Sequence, residues 1–133
     1  MSRPKIAYQG EPGANSHIAC ADVFPDMEPL ACPTFEDALA AISEGAAALG
    51  MIPIENSLAG RVADIHQFLP ISGLHIVGEY FLPIHFQLMA PKGAAIDGLT
   101  DVYSHIHALG QCRKIIRRYG LKAHVFGDTA GAA

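Results

Sequence analysis

Lys5-Ile6-Ala7-Tyr8-Gln9-Gly10-Glu11-Pro12-Gly13-Ala14-Asn15-Ser16 is the stretch that decides the fold. Lys5 to Gln9 reads as a buried strand that ends at Gly10. Two glycines then shape a turn. From Ala14, apolar residues return at helical spacing (Ala14, Ile18, Ala21, Phe24) until Pro25 stops them.

The same alternation runs on. Glu28 to Cys32 is a second short apolar segment. Thr34 reads as an N-cap, with Asp37 three residues on and Phe35, Leu39 and Ile42 at helical spacing; Gly45 closes that helix. Ala48 to Ile52 is a third strand, and Gly60 to Leu69 a helix with Val62, Ile65 and Leu69 on one stripe and Pro70 as its stop. Leu74 to Ala90 is a β-prone tract broken at Pro83, which predicts two strands or one strand crossing between lobes. Gly93 to Gly98 is loop, Asp101 to Ser104 a strand, and Leu109, Cys112, Ile116 and Tyr119 mark a helix ended by Gly120. His124 to Phe126 is a last short strand. Thr129 to Ala133 reads as the opening of a helix, so the chain is expected to stop mid-element. Strands alternating with helices predict an α/β fold with a parallel-dominated sheet.

Composition narrows the class. Half of the 133 residues are hydrophobic and 17% are charged, enough to bury a core. A net charge of −4 excludes a general nucleic-acid binder but permits a local anion site. Cys20, Cys32 and Cys112 lie far apart with no CxxC pair, which suits a reducing compartment. No long apolar run follows Arg3 and Lys5, so neither a signal peptide nor a membrane span is expected, and the chain is expected to be cytoplasmic.

Ligands of open α/β sheets bind beyond the carboxyl ends of the strands, where helix N-termini offer unpaired N–H groups. Four turns of that kind are rich in small or polar residues. They are Gln9 to Ser16, Pro53-Ile54-Glu55-Asn56-Ser57-Leu58-Ala59-Gly60, Ser104-His105-Ile106-His107-Ala108-Leu109-Gly110-Gln111, and Asp128-Thr129-Ala130-Gly131. Together they predict a pocket for a small anion bearing carboxylates. The first is not a P-loop, since no Gly-Lys-Ser/Thr follows, and it lacks full GxGxxG spacing.

Tyr8-Gln9-Gly10-Glu11-Pro12-Gly13 through Ser16, Pro53-Ile54-Glu55-Asn56-Ser57 with Gly60, Ser104-His105 with Gln111-Cys112, and Thr129-Ala130 with Ala132-Ala133 resemble, in order, the signature of prephenate dehydratases. The resemblance runs the length of the chain. It implies a two-lobed fold of the type II periplasmic-binding-protein kind with mostly parallel sheets. The active-site cleft would lie between the lobes, with the first lobe at residues 1–80 and the second, incomplete, at 81–133. It implies decarboxylating dehydration of prephenate to phenylpyruvate in phenylalanine biosynthesis, by a carbon–oxygen lyase that needs no cofactor or metal and commonly forms a homodimer. Arogenate dehydratase is the nearest alternative, and a non-catalytic carboxylate-binding module a further one.

By the same resemblance Asn56, Ser104 and Gln111 fall to substrate binding or catalysis, and Glu55 to orienting its neighbours or handling a proton. Gly10, Gly13, Ser16, Ser57, His105 and Thr129 fall to the substrate pocket. The family's proposed donor, a threonine in a Thr-Arg-Phe motif, has no counterpart here, and neither does the regulatory ACT domain. The isolated chain is therefore expected to be inactive.

Other readings are plainer. Ser104 and His105 are neighbours on a predicted strand, so they point to opposite faces and make a poor nucleophile–base pair; His105 is expected to bond within the cleft or cap the next helix. His105-x-His107 is the only close histidine pair and lacks further ligands at metal spacing. Arg113, Lys114, Arg117 and Arg118 are placed late in their helix as a solvated face, where cations suit the dipole. Cys112 reads as core.

Overall fold

The computed structural model describes residues 2–57, 60–127, 129 and 131–133, in two compact units, Met1–Ile84 and His85–Ala133. The first unit is built on a three-stranded parallel sheet of order β2-β1-β3. Its strands are β1 (Lys5–Gln9), β2 (Glu28–Cys32) and β3 (Leu49–Gly50). Lys5 pairs with Glu28 and Gln9 with Cys32 on one side of β1; Ile6 pairs with Leu49 and Ala7 with Gly50 on the other.

Helix α1 (Asn15–Val23) joins β1 to β2, and α2 (Phe35–Ser43) joins β2 to β3. Parallel crossovers are right-handed, so two crossovers running in opposite directions across the sheet cover its two faces. The side chains agree. Ile6 and Tyr8 pack with Cys20 of α1, flanked by Phe24 and Met27, whereas Ala7 packs with Ala38 of α2 and with Cys32 and Ala47. Strand β1 alternates large and small because one face meets α1 and the other meets the alanines around α2. Burying residues such as Ile6 and Tyr8 stabilises the fold by roughly 1.5–3 kcal/mol each.

The two helices begin differently. Thr34 Oγ1 accepts the N–H of Asp37 at 3.1 Å and donates to Asp37 Oδ2 at 2.7 Å, so α2 closes its own N-terminus as expected. Glu36 and Asp37 add negative charge to its first turn. Helix α1 starts at Ala14, whose methyl group cannot cap, and has no acid in its first turn.

The segment after β3 departs from the expected helix. Strand β4 (Glu55–Asn56) pairs antiparallel with β5 (Gly60–Arg61), and the helix that follows, α3, covers only Ala63–Phe68. Gly60 sits at φ 84°, which ends any helical path there, and its backbone pairs with Asn56 instead. Leu58 and Ala59, within the second turn, lie outside the described residues. Ile65 of α3 is fully buried.

Two further expectations are corrected. Leu74 to Ala90 forms no strand among the described residues: a strand needs a ladder partner, and this tract has none there, leaving Ile76, Val77 and Phe81 exposed. Tyr80 ties it to α1 by donating its hydroxyl to Asp22 Oδ2 at 3.1 Å. Ala48 to Ile52 shortens to Leu49–Gly50, although Met51 N–H still reaches Ala7 O at 2.8 Å.

In the second unit, β6 (Asp101–Ser104) and β7 (Lys122–Val125) pair in parallel from Asp101↔Lys122 to Ser104↔Val125. The single helix expected between them is two, α4 (Ile106–Gln111) and α5 (Arg113–Arg118), parted at Cys112, whose φ of −99° and ψ of 13° leave the helical path. Arg113 and Lys114 thus open a second helix and do not lie late in one; Arg117 and Arg118 do occupy its last turn. Cys112 is half-buried at that joint. Thr129 and Gly131-Ala132 are turns, so no helix opens there among the described residues; Asp128 and Ala130 lie outside them.

Candidate functional site

Strand order 2-1-3 reverses direction between β1 and β3, the switch point at which doubly wound sheets take their ligands. Two of the four turns leave the carboxyl edge of the first unit's sheet at that point. One is the Gly10–Ser16 turn after β1; the other is the β4–β5 hairpin after β3.

In the first turn, Gly10 and Gly13 hold φ of 120° and 92°, conformations that side-chain-bearing residues resist. Neither glycine has its N–H to spare. Gly10 donates to Cys32 O at 3.0 Å, and Gly13 donates to His17 Nδ1 at 2.9 Å. Ala14 N–H closes the turn onto Glu11 O at 3.1 Å. The N-cap residue Ala14 offers the first-turn N–H groups of α1 no side-chain acceptor. Ser16 is half-buried among them. The glycines therefore shape the turn, with their N–H groups used inside it.

His17, to which the sequence reading gave no role, is tied into this turn through its Nδ1. Its ring stacks on Tyr8, with centroids 5.5 Å apart and planes 22° from parallel. Tyr8 itself is buried, and burial, with Cys20, Glu11 and Cys32 nearby, pushes its hydroxyl pKa up. A histidine at the third helical position after an uncapped Ala14 was the available signal.

The hairpin presents Glu55 and Ser57 exposed and Asn56 half-buried, with Glu55 opposite Arg61 and Asn56 opposite Gly60. His66 of α3 braces it from below, its Nε2 lying 3.3 Å from Ile54 O.

The second unit holds Ser104, His105, Gln111 and Thr129. Ser104 ends β6 half-buried; His105 is the N-cap of α4, its Nδ1 accepting the N–H of His107 at 3.3 Å. That is the capping role expected of it, though it sits just past the strand and not on it. Gln111 lies about one and a half turns further along α4 and is half-buried. Thr129 is exposed. Among the described residues, no group of three His, Cys, Asp or Glu side chains could hold a metal ion, and no helix is long and apolar enough to cross a membrane.

These features define an α/β protein whose parallel strands present polar turns at their carboxyl ends. Residues 6–133 match the prephenate dehydratase family model, and the chain belongs to the prephenate dehydratase family. It is 45% identical over 128 residues to a bifunctional N-acyl-homoserine lactone acylase/prephenate dehydratase of Komagataeibacter europaeus, covering 96% of this chain and 46% of that one. It is 41% identical over 131 residues to arogenate dehydratase 1 of Petunia hybrida, covering 97% and 31%. The crystal structure of a prephenate dehydratase from Arthrobacter aurescens, in complex with L-Phe, superposes with a TM-score of 0.84 at 26% identity, covering 96% of this chain and 44% of that one. The chain thus spans less than half the length of these relatives.

Proposed function

We propose that the chain serves the decarboxylating dehydration of prephenate to phenylpyruvate. The family match over residues 6–133 carries this reading. Its physical support is that α1, whose N-cap Ala14 has no capping side chain, follows β1 and that the Glu55–Asn56–Ser57 hairpin follows β3, the two strands at the switch point.

The chemistry asks little of a protein beyond placement. The bond from the ring to its carboxylate breaks, CO₂ departs, and the electron pair closes the aromatic ring as the ring hydroxyl leaves with one added proton as water. Aromatisation drives the reaction. The protein has to fix the carboxylates with donors and deliver a proton to the hydroxyl. In this reading the first-turn N–H groups of α1, with Ser16 and Ser57, hold carboxylate. Asn56, Ser104 and Gln111 contact the substrate as polar partners, and Glu55 orients them; His105 and Thr129 complete the pocket wall. Gly10 and Gly13 act through the shape of the turn.

The two-lobed, periplasmic-binding-protein-like arrangement, with a first lobe at 1–80 and a second at 81–133, belongs to this proposal. So do a homodimer and a cytoplasmic setting, the latter supported by three unpaired cysteines. Arogenate, which bears an amino group on the side chain, is the alternative substrate; the relative from Petunia hybrida is named for it.

Calorimetric titration with prephenate, then arogenate, tests the reading, with phenylpyruvate release followed in parallel. Saturable prephenate binding, lost in the Asn56→Ala/Gln111→Ala double variant, is the expected result. Absence of binding to either acid, or cleavage of an N-acyl-homoserine lactone in its place, sinks it.

A further inference from the structure

We propose that the basic helix α5 of one copy docks on an acidic groove in the first unit of a second copy; the inference gives surfaces to the homodimer of the proposed function and rests on that part of it. It starts from an uneven spread of charge. Met1–Ile84 carries ten Asp and Glu against three Lys and Arg, and His85–Ala133 three against six, so the net charge of −4 divides into −7 and +3.

Four of the cations stand on α5: Arg113, Lys114, Arg117 and Arg118, all exposed. At about 3.6 residues per turn they lie together on one side of the helix. Locally this is unfavourable. Arg113 and Arg117 are four residues apart, as are Lys114 and Arg118, and like charges at that spacing weaken a helix. Arg113 and Lys114 also occupy the first turn, where the dipole favours acids and none stands. Among the described residues the ion pairs are Lys5–Glu28 and His124–Asp101, so none of the four is neutralised there. Arg118 lies over the ring of its neighbour Tyr119, 5.6 Å from the centroid. A helix face charged against its own stability, with no answering charge, points to an anionic partner.

The first unit offers the complement. A groove of about 310 Å³ lies between the start of α2 and helix α3, lined by Phe35, Glu36, Asp64 and Phe68 with Gln9 and Thr34, and by no Lys, Arg or His. Glu36 and Asp64 are exposed and take no part in either ion pair; Phe35 and Phe68 are half-buried. Aromatic rings and carboxylates in one groove suit a guanidinium, which stacks on a ring and forks onto a carboxylate while giving up little hydration. Three of the four cations on α5 are arginines. An extended polyanion, such as nucleic acid or an anionic bilayer, would also meet the negative charge of the first unit. A second copy turns that same charge into attraction.

Charge exchange, read by analytical ultracentrifugation, tests the contact. The variants are Arg113→Glu/Arg117→Glu on the helix and Glu36→Lys/Asp64→Lys on the groove, with Glu36→Gln/Asp64→Asn as a neutral version that keeps the shapes. Wild type should self-associate at low salt, and the association should weaken about tenfold as salt rises from about 20 mM to 0.5 M. Each variant alone should associate about tenfold more weakly than wild type at low salt. An equimolar mixture of the two charge-reversed variants should regain association, because a reversed helix then meets a reversed groove; an unfolded variant could not produce that rescue, and urea midpoints check the fold of each. A wild type that stays monomeric overturns the proposal and the homodimer with it, even if α5 then binds a DNA duplex or anionic vesicles. A dimer indifferent to salt and to both reversals keeps the homodimer and overturns this inference alone, as does a mixture without rescue. Calorimetry with prephenate decides the dehydratase reading separately.

Discussion

His124 donates a ring N–H to Asp101 Oδ1 at 2.7 Å across the β6–β7 pair, and its ring stacks on Tyr103 with centroids 4.6 Å apart. Asp101 also accepts the hydroxyl of Thr100 at 2.6 Å. The Thr100 hydroxyl first, and then His124, hold the Asp101 carboxyl below its usual range. A carboxyl whose folded pKa is depressed contributes stability that is present above the ordinary aspartate range and is lost as pH falls through the lowered value. Urea midpoints measured between roughly pH 2 and 6 should therefore fall with acid in wild type. The Asp101→Asn variant should lose part of that slope.

Thr34 supplies a second test. Its hydroxyl is the whole side-chain cap of α2, so Thr34→Ala should destabilise the first unit by about 1 kcal/mol. Thr34→Ser, which keeps the oxygen, should restore most of the loss in the same urea titration.

The small face of β1 supplies a third. Ala7 is wholly buried against Ala38 and Ala47. Ala7→Leu should cost about 1–3 kcal/mol through overpacking. On the opposite face, Ile6→Val should cost about 0.5–1.5 kcal/mol. Urea denaturation of both variants reads the difference.

Cysteine labelling gives a fourth. Burial pushes the Cys20 thiol up to about 11. At pH 8 about one part in a thousand is thiolate, and thiolate is what alkylates. Iodoacetamide followed by mass spectrometry should modify half-buried Cys112 first and spare Cys20 until denaturant is added.

The proposed substrate contacts give a fifth. Asn56→Ala and Gln111→Ala should each weaken prephenate binding about tenfold, the loss of one hydrogen bond to a charged ligand. Urea midpoints measured beside the binding separate a lost substrate contact from a loosened fold at the half-buried Asn56 and Gln111. Calorimetry of each single variant checks this.

Where local signals agreed, the sequence was readable. Strand β1, the start and stop of α1, strand β2 and the Thr34–Asp37 box all stand where periodicity and capping placed them. The errors arose where pairing between segments decides. Gly60 to Val62 carry a helix-like stripe, but a positive φ at Gly60 and a partner in Asn56 make a hairpin. Leu74 to Ala90 has strand composition without a ladder partner among the described residues, and composition cannot supply one. Cys112 breaks a helix that the apolar spacing ran straight through. The glycine turns of the candidate site were visible as motifs. Their hydrogen bonding was not, because the use of the Gly13 N–H by His17 depends on a ring held in place by Tyr8.

The unequal bulk on the two sides of β1 has one more effect. Sliding that strand by a single residue would drive the Tyr8 ring into the alanine-lined space and leave Ala7 facing the wide one, so only one vertical setting of the strand fits. The core thereby acts as a depth gauge for the loop above it. The level at which Gly10 emerges is set by the widths of the side chains at Ile6, Ala7 and Tyr8, well before any ligand arrives.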